Sequence, residues 1–312
     1  GGVSRDMTGT VTDMPTTTDG GTTVQPLGCS KDGWCWQFPA PQGNGLLATW
    51  GSSAQDVWAV GGAGTIVHFD GVRWSIVRSP TNNTLYSIWG SSSKNVFAVG
   101  DRGTVLRWDG SAWTQLPLGT DGKDVAQLYG VWGGDGTDVW FVGNHLTAGP
   151  ALLRWNGTAW SAAELPANAS KTYLNAIWGS SAEDVWVVGK EGVIIHFDGN
   201  KWNEVPSGAR EGLKKVWGLA KDNAWAVGEN GVILHWNGND WSPTPSGMDT
   251  ELRGIWGSAA NDIWSFGFYV LNWNGTSWQN LPVARLGVEA SRVTAKDVWA
   301  VGRNGLIMRK TK

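Results

Sequence analysis

Four histidines and a set of repeated aspartates are the residues of this sequence best suited to acid–base or metal chemistry. His68, His196 and His235 occupy one position of a repeated unit, and other copies have Arg or Asn there. A position that accepts His, Arg or Asn is typical of a solvated rim and not of a set of metal ligands. His145 lies alone in a loop. The repeated acids are interpreted as turn residues: Asp56, Asp138, Asp184, Asp262 and Asp297.

No combination of Ser, His and Asp, or of Cys and His, matches a nucleophilic centre, and no phosphate-binding loop or EF-hand spacing occurs. A sialidase-like centre needs clustered arginines, whereas the arginines here are scattered along the chain. We therefore expect no catalytic residues, no metal and no cofactor. A hydrolase is the least favoured of the functions considered.

A second set of residues is suited to binding a ligand. Three residues before the Trp of a repeated Trp-Gly pair, the residue type changes from copy to copy: Leu47, Tyr86, Tyr129, Asn175, Lys214, Arg253 and Val288. The next residue is small in most copies, but it is Lys215 in one and Glu289 in another. If the copies form a ring, its mouth has two tyrosines on one side and Lys214, Lys215, Arg253 and Glu289 on the other. The alternative is that these strand ends are merely solvated.

The repeated unit that would position these residues has four strands. In the copy LYSIWGSSSKNVFAVGDRGTVLRWDGSAWTQLP, which begins at Leu85, strands are predicted over 85–90, 96–99, 104–108 and 112–116. Asp109-Gly110 favours a tight hairpin because both central residues of such a turn need positive φ. No helical period persists for two turns. The unit therefore predicts a four-stranded antiparallel sheet.

Near-copies of the unit fill almost all of the chain after residue 32. Ser291 takes the place of the Trp in a seventh copy. The other six are aligned on the Trp of a Trp-Gly pair: Trp50, Trp89, Trp132, Trp178, Trp217 and Trp256. Four-stranded repeats spaced 35 to 46 residues apart are typical of propeller blades. The predicted fold of residues 28–312 is an all-β, seven-bladed β-propeller. The blades are expected at 46–84, 85–127, 128–173, 174–212, 213–251, 252–287 and 288–312 together with 32–39.

The two ends of the chain are predicted to complete one blade. Residues 32–39 read as a fourth strand, with Trp36 in the repeated tryptophan position, and residues 286–312 hold three strands without a fourth. The N-terminal strand is therefore expected to close the ring, which removes exposed sheet edges. Cys29 and Cys35 flank the start of this strand. A disulfide there would close only a short loop, and two free buried thiols are the alternative.

The 24 tryptophans are interpreted as core residues. All but Trp34 fall in four repeated positions of the unit. Aromatic platforms for sugars or bases are the alternative. A residue that recurs in every blade is nevertheless expected to have a role common to all blades, and that role is packing against the neighbouring blades.

Composition limits the partners. The net charge is −3 without a basic run, which disfavours nucleic acid, and no apolar stretch is long enough to span a bilayer. Residues 1–27 are rich in Thr, Gly and Asp and are interpreted as a flexible spacer. Their composition is similar to that of a tether in a secreted bacterial protein. The chain begins Gly-Gly, from which we expect that a leader was removed or the chain shortened.

The stretches 50–74 and 178–202 carry nearly complete copies of the signature WGSSxxDVWAVGxxGxIxHWxG. This signature resembles that of the bacterial tryptophan-rich propeller repeats, which are related in plan to Asp-box (BNR) and YVTN propellers. The resemblance covers nearly all of the chain after residue 32. It implies a propeller in a secreted or surface protein, and it implies no common activity.

Loop lengths indicate which face binds. In a propeller, the loops between the second and third strands lie on the same face as those between blades, and here they carry nearly all the length variation. His145 lies in the longest such hairpin and Tyr269 in the shortest, so both are candidate binding residues. We expect an extracellular, non-enzymatic module that binds a glycan or a protein, with no nucleic-acid partner. A structural or assembly component of a surface complex is the alternative.

Overall fold

The computed structural model describes residues 29, 33–37, 43–119, 124–147, 149–281, 288–293 and 297–311, and for 288–293 it describes the backbone alone. Within these ranges the chain forms seven four-stranded antiparallel sheets. The structure is thus an all-β, seven-bladed propeller, as the repeats predict. The spacer predicted over residues 1–27 lies outside the described residues.

The first three complete blades follow a single short strand, β1 (Trp34–Trp36). Blade one contains β2 (Leu46–Ser53), β3 (Asp56–Gly61), β4 (Ile66–Phe69) and β5 (Trp74–Val77). Blade two contains β6 (Leu85–Ser92), β7 (Asn95–Gly100), β8 (Val105–Trp108) and β9 (Trp113–Gln115). Blade three contains β10 (Val125–Gly133), β11 (Val139–His145), β12 (Pro150–Trp155) and β13 (Trp160–Ala162).

The remaining blades repeat the same order of strands. Blade four contains β14 (Leu174–Ser181), β15 (Asp184–Gly189), β16 (Ile194–Phe197) and β17 (Trp202–Glu204). Blade five contains β18 (Leu213–Ala220), β19 (Asn223–Gly228), β20 (Ile233–Trp236) and β21 (Trp241–Pro243). Blade six contains β22 (Leu252–Ala259), β23 (Asp262–Gly267), β24 (Val270–Trp273) and β25 (Trp278–Leu281). Blade seven contains β26 (Val288–Val293), β27 (Asp297–Gly302) and β28 (Ile307–Thr311).

Helical structure in the described ranges is confined to one-turn 3₁₀ segments: Gly62–Gly64, Ala169–Lys171, Lys190–Gly192, Glu229–Gly231 and Arg303–Gly305. Four of them form the hairpin between the second and third strands of a blade. None of the helical segments described is long and apolar enough to cross a membrane.

The N-terminal strand closes the ring. β1 pairs antiparallel with β28, and the sheet of blade seven has the order β1-β28-β27-β26. This pairing confirms the closure that the incomplete chain ends predict. Cys29 and Cys35 are joined by a disulfide next to the closing strand.

The register of the closing strand differs from the sequence prediction, which placed Trp36 in the repeated tryptophan position. In the other blades the first residue of strand four, a Trp, pairs with the last aromatic residue of strand three, as Trp74 does with Phe69. In blade seven Trp34 takes this place opposite Lys310. Trp34 is fully buried, and its ring packs edge-on against Trp264 at 6.0 Å. The prediction was wrong because no hairpin joins β28 to β1, so the Asp-Gly turn does not fix their register.

The register of β26 also corrects the prediction for the seventh copy. Trp50 pairs with Trp58 in blade one, and the equivalent pair in blade seven is Arg292 with Trp299. Arg292, and not Ser291, therefore takes the place of the repeated Trp. The slip of one residue arose because this copy has no Trp-Gly pair to anchor the alignment.

Tryptophan packing joins neighbouring blades. The ring of Trp58 in blade one meets Trp113 of blade two edge-on, with centroids 5.4 Å apart, and Trp186 meets Trp241 in the same way. Except for Trp256, the Trp of each Trp-Gly pair also lies against the glycine of the next pair, so a Cβ on Gly218 would be 2.5 Å from the Trp178 ring. The repeated tryptophans therefore pack between blades.

The repeated histidines and aspartates also differ from their interpretation as solvated rim and turn residues. His68 donates a hydrogen bond of 2.6 Å to Asp56 while its ring stacks on Trp58 at 4.1 Å. Arg154 makes the equivalent contact with Asp138 through two nitrogens. The position accepts His or Arg because both can donate to the acid at the start of the second strand. These pairs fasten strand three to strand two at the end of the blade away from the variable loops.

Candidate functional site

Each inner strand of the propeller has a β-bulge near its start. In six inner strands the pairing to strand two advances by only one residue between the first and third residues of the strand. In the longer strand β10 the equivalent bulge lies between Leu128 and Gly130. The bulged residues form what we call the mouth ring: Leu47, Tyr86, Tyr129, Asn175, Lys214, Arg253 and Glu289. Bulges re-aim side chains and are common next to binding sites. The ring lies where the inner strands enter the channel from the variable-loop face.

The close approach of the backbone before each inner strand explains the glycine repeated in each second strand, which follows Val in six blades and Phe266 in blade six. A Cβ on Gly61 would lie 2.0 Å from the carbonyl oxygen of Gly45, and one on Gly228 would lie 2.0 Å from that of Gly212. The glycine is therefore required because the backbone just before each inner strand approaches it closely. The repeated glycines thus permit the close backbone approach next to the bulge. The bulged residue itself differs between blades.

The mouth ring surrounds a cavity of about 620 Å³. Its walls contain seven of the residues singled out in the sequence: Leu47, Tyr86, Tyr129, Asn175, Lys214, Lys215 and Arg253. The described residues that also line it are Gln127, Asn144, Tyr173 and Lys190. The volume is in the range of small-ligand and peptide side-chain pockets.

Two other predicted residues, His145 and Tyr269, are not among the described residues that line the cavity. The side chain of Glu289 lies outside what the structure describes, but its backbone is at the bulge position of β26, in the mouth ring and not in the deeper layer predicted for it. His145 ends β11 and pairs with Val125. Tyr269 packs edge-on against Phe268 in the short hairpin of blade six, with centroids 5.2 Å apart.

Tyrosines form one wall of the cavity. The rings of Tyr86 and Tyr129 are 5.3 Å apart, and their hydroxyls donate to Asp101 and Gln127 at 2.9 and 3.0 Å. Burial, together with the hydrogen bond to Asp101, raises the pKa of Tyr86 to about 12. Burial likewise raises the pKa of Tyr129. Both phenols are therefore neutral at physiological pH and present aromatic faces to a ligand.

Cations form the opposite wall, and two of them are paired. The ammonium of Lys214 is 2.9 Å from Glu229, and the guanidinium of Arg253 is 2.7 Å from Glu251. The hydrogen bond from Lys214 lowers the pKa of Glu229. Lys190 lies over the ring of Tyr173 at 4.6 Å from its centroid.

Lys215 lies one residue deeper than the mouth ring. It lines the mouth cavity and also the channel beneath it, so its side chain sits at the floor of the mouth. Part of its surface faces the channel, but protein atoms surround it, and this desolvation lowers the pKa of its ammonium.

Apolar side chains are exposed on the rim of the same face. Leu146, Tyr173 and Phe268 have exposed fractions of 71%, 47% and 44%. Leu146 and Phe268 belong to the hairpins between the second and third strands of blades three and six, and Tyr173 directly precedes β14. The three side chains therefore lie on separate loops of the face that carries the mouth.

Sequence reasoning missed a second ring of residues. Asn144 and Lys190 each follow the repeated glycine of a second strand, as do Asp101 and Glu229, which bond to members of the mouth ring. This position changes from copy to copy as freely as the bulge does. Variation after the repeated Val-Gly was the signal that could have identified them.

Comparison with known proteins supports the fold and no particular activity. No family model matches the sequence, and no curated protein is significantly similar to it. YCF48 bound to a D1 peptide superimposes with a TM-score of 0.70 at 15% identity, covering 92% of this chain and 100% of that one. Virginiamycin B lyase from Staphylococcus aureus gives 0.73 at 15% identity, over 89% and 98% of the chains. The WD40 propeller of Doa1 gives 0.70 at 12%, over 87% and 94%.

Proposed function

We propose that this propeller is a non-enzymatic module that holds an extended segment of a partner protein across its mouth. The observation that carries the proposal is the cavity of about 620 Å³ whose wall residues differ from blade to blade on a repeated bulge. Positions that serve the scaffold repeat, whereas positions that contact a ligand on a rigid frame are free to vary.

Two further observations support a polypeptide ligand. Leu146 and Phe268 are exposed on loops of the same face and offer apolar contacts outside the cavity, and the exposed ring of Tyr173 offers one at its wall. One similar fold, that of YCF48, was solved with a peptide bound. An assembly component of a larger complex would use the same face, and its mark would be co-purification with one fixed partner.

A glycan is the second candidate ligand. Tyr86, Tyr129 and Tyr173 line the cavity together with the amide side chains of Asn175 and Gln127. Aromatic faces combined with amide donors and acceptors suit the apolar and hydroxyl-bearing surfaces of sugars.

We also propose that the propeller is displayed outside the cell, with residues 1–27 as a tether, and that it is related to the bacterial tryptophan-rich repeat proteins. The Thr- and Gly-rich composition of 1–27 supports a tether. The Cys29–Cys35 disulfide supports an oxidising compartment, where disulfides persist.

Selection of phage-displayed random peptides on the full chain tests the proposed function. We expect peptides to be enriched on the wild type and lost on Tyr129→Ala, which removes one aromatic wall of the cavity. Ile76→Ala is the matched control because Ile76 is 59% exposed on the outer strand β5, away from the mouth.

A glycan array with the same three proteins separates the two candidates. Sugar binding that depends on Tyr129, without peptide enrichment, would favour the glycan. Peptide capture that is equal on the wild type and on Tyr129→Ala would show that the mouth is not the site.

A further inference from the structure

Lys215 is the one large residue in its layer of the channel. It directly follows the bulge of β18, and the other inner strands have Ala, Ser or Gly at that register: Ala48, Ser87, Gly130, Ala176, Gly254 and Ala290. Small residues are expected where seven strands converge on one axis. A lysine in this layer is therefore a departure that packing does not require.

The charge of Lys215 is uncompensated by any described side chain. Lys214 and Arg253 pair with Glu229 and Glu251, but no described carboxylate lies within ion-pair distance of Lys215. Lys190 contacts the face of Tyr173 and likewise has no ion pair with a described residue. Among the described side chains of the mouth, positive charge therefore remains at the floor and on the wall.

Three other side-chain donors of the mouth are already engaged. Tyr86 donates to Asp101, Tyr129 donates to Gln127, and the side-chain amide of Asn175 donates to the carbonyl oxygen of Leu213 at 2.8 Å. Among the described side chains that line the floor, the ammonium of Lys215 is the donor that remains for a ligand. A partly buried, desolvated ammonium is costly unless an anion and its acceptor oxygens meet it.

We propose that Lys215 anchors a carboxylate of the bound peptide, so that the mouth selects protein segments carrying an acidic group that reaches its floor. This inference rests on the proposed function. A carboxylate brings one negative charge and two acceptor oxygens, which balances the single ammonium at the floor. The free C terminus of a protein and the side chain of Asp or Glu both carry this group.

Three pools of random heptapeptides, retained on the full chain and identified by mass spectrometry, test the anchor. The first pool has a free C-terminal acid and no Asp or Glu, the second has Asp or Glu and a C-terminal amide, and the third has neither acid. We expect the wild type to retain at least one acid-bearing pool about tenfold or more over the neutral pool. The pool that is retained identifies the source of the carboxylate.

Lys215→Met should abolish that preference, because Met keeps the length of the side chain and removes its charge. Lys94→Met is the matched control, since Lys94 is exposed in the turn before β7, at the opposite end of the blade. Thermal melting of both variants checks that each is folded. A preference for acids that survives Lys215→Met in a folded protein would overturn the inference.

A second readout separates failure of the anchor from failure of the proposed function. N-acetylglycine should protect Lys215 from an amine-reactive label, and inorganic phosphate should protect it less. Equal retention of all three pools would leave peptide binding intact and reject the carboxylate anchor. Protection by N-acetylglycine without retention of any pool would support the carboxylate site and reject the peptide. Absence of both effects, or equal protection by phosphate, would overturn the anchor.

Discussion

A polar pair between strands two and three recurs in most blades, on the face opposite the mouth. In blade four His196 donates to Asp184 at 2.6 Å, while Ser180 donates to the other carboxylate oxygen. Burial acts to raise the pKa of Asp184, but the hydrogen bonds from His196 and Ser180 outweigh it and hold the pKa below its ordinary value of 3.8. The pair therefore stabilises the blade. The repeated histidines, whose residue type is suited to catalysis or metal binding, have a structural role.

Asp184→Asn should flatten the acid dependence of stability. Because the pKa of Asp184 is lowered in the folded state, its contribution is complete above the ordinary pKa and is lost as pH falls through the folded pKa. Urea unfolding should show a loss of about 1–3 kcal/mol in the variant at pH 7. The difference from wild type should shrink near pH 3. The exposed Asp222→Asn is the control, and a difference that is constant with pH would contradict the account.

Lys215→Met should stabilise the free protein. Desolvation lowers the pKa of Lys215 below its ordinary value of 10.5, so the unfolded chain binds more protons and the wild-type free energy of unfolding rises with pH in that interval. The titratable side chains lining the same cavity are Tyr86, Tyr129, Tyr173, Lys190, Lys214 and Arg253. Glu229 and Glu251 pair with the last two, and the backbone of Glu289 lies in the mouth ring of blade seven.

Urea unfolding measures the effect of Lys215→Met. We expect a gain of about 1–3 kcal/mol at pH 7, because the uncompensated buried charge is removed. The gain should narrow at pH 9.5, where the wild type loses that charge more readily. Equal stability of the two proteins at pH 7 would mean that the ammonium is as well solvated in the channel as in water.

The bulge is the element that turns a repeated strand into a binding site. The inner strand pairs with strand two in the same register in blade one and in blade six. The unpaired residue at the bulge is nevertheless Leu47 in β2 and Arg253 in β22. Strand content, hairpins and the repeat could be predicted because alternation and Asp-Gly turns are local signals. The bulge could not be predicted, because it depends on how two strands pair. The strand that carries it has no characteristic residue type at the bulge.

Gly218→Ala tests the packing of one element on the next. The added Cβ would lie 2.5 Å from the ring of Trp178, in the preceding blade, and 2.8 Å from the carbonyl oxygen of Asn223. Such overpacking should cost about 1–3 kcal/mol of unfolding free energy. Gly62→Ala is the control, since its Cβ would meet its nearest atom at an ordinary 3.8 Å. Equal melting of the two variants would contradict the proposed contact between Trp178 and Gly218.

Closure is a property of the whole molecule, and it was predicted from sequence only in part. The incomplete ends predicted that β1 would complete blade seven, which is confirmed. The position of the buried tryptophan was wrong, because register across two chain ends has no hairpin to define it. The mouth was also predicted from the repeated unit, but its wall residues Asn144, Tyr173 and Lys190 were not predicted. Asn144 and Lys190 follow the repeated glycines of the neighbouring blades three and four, and Tyr173 lies in the connection between these blades. Their variation was a signal that the sequence prediction did not use.

Trp34→Ala should loosen the closed ring far more than Trp36→Ala. Trp34 is fully buried against Trp264, whereas Trp36 is only partly buried. Loss of a buried Trp costs about 3–5 kcal/mol. Denaturant unfolding of the two variants measures the difference. A larger loss in Trp36→Ala would support the register predicted from sequence and contradict the one described.

Hydrogen–deuterium exchange of the full chain, with and without a selected peptide, tests most directly whether the mouth is the binding site. We predict slower exchange in the starts of the inner strands, at 85–87, 127–130 and 213–215, with no change in the turns at 52–56 and 180–184 on the other face. Protection confined to those turns, with the inner-strand starts unaffected, would contradict the account.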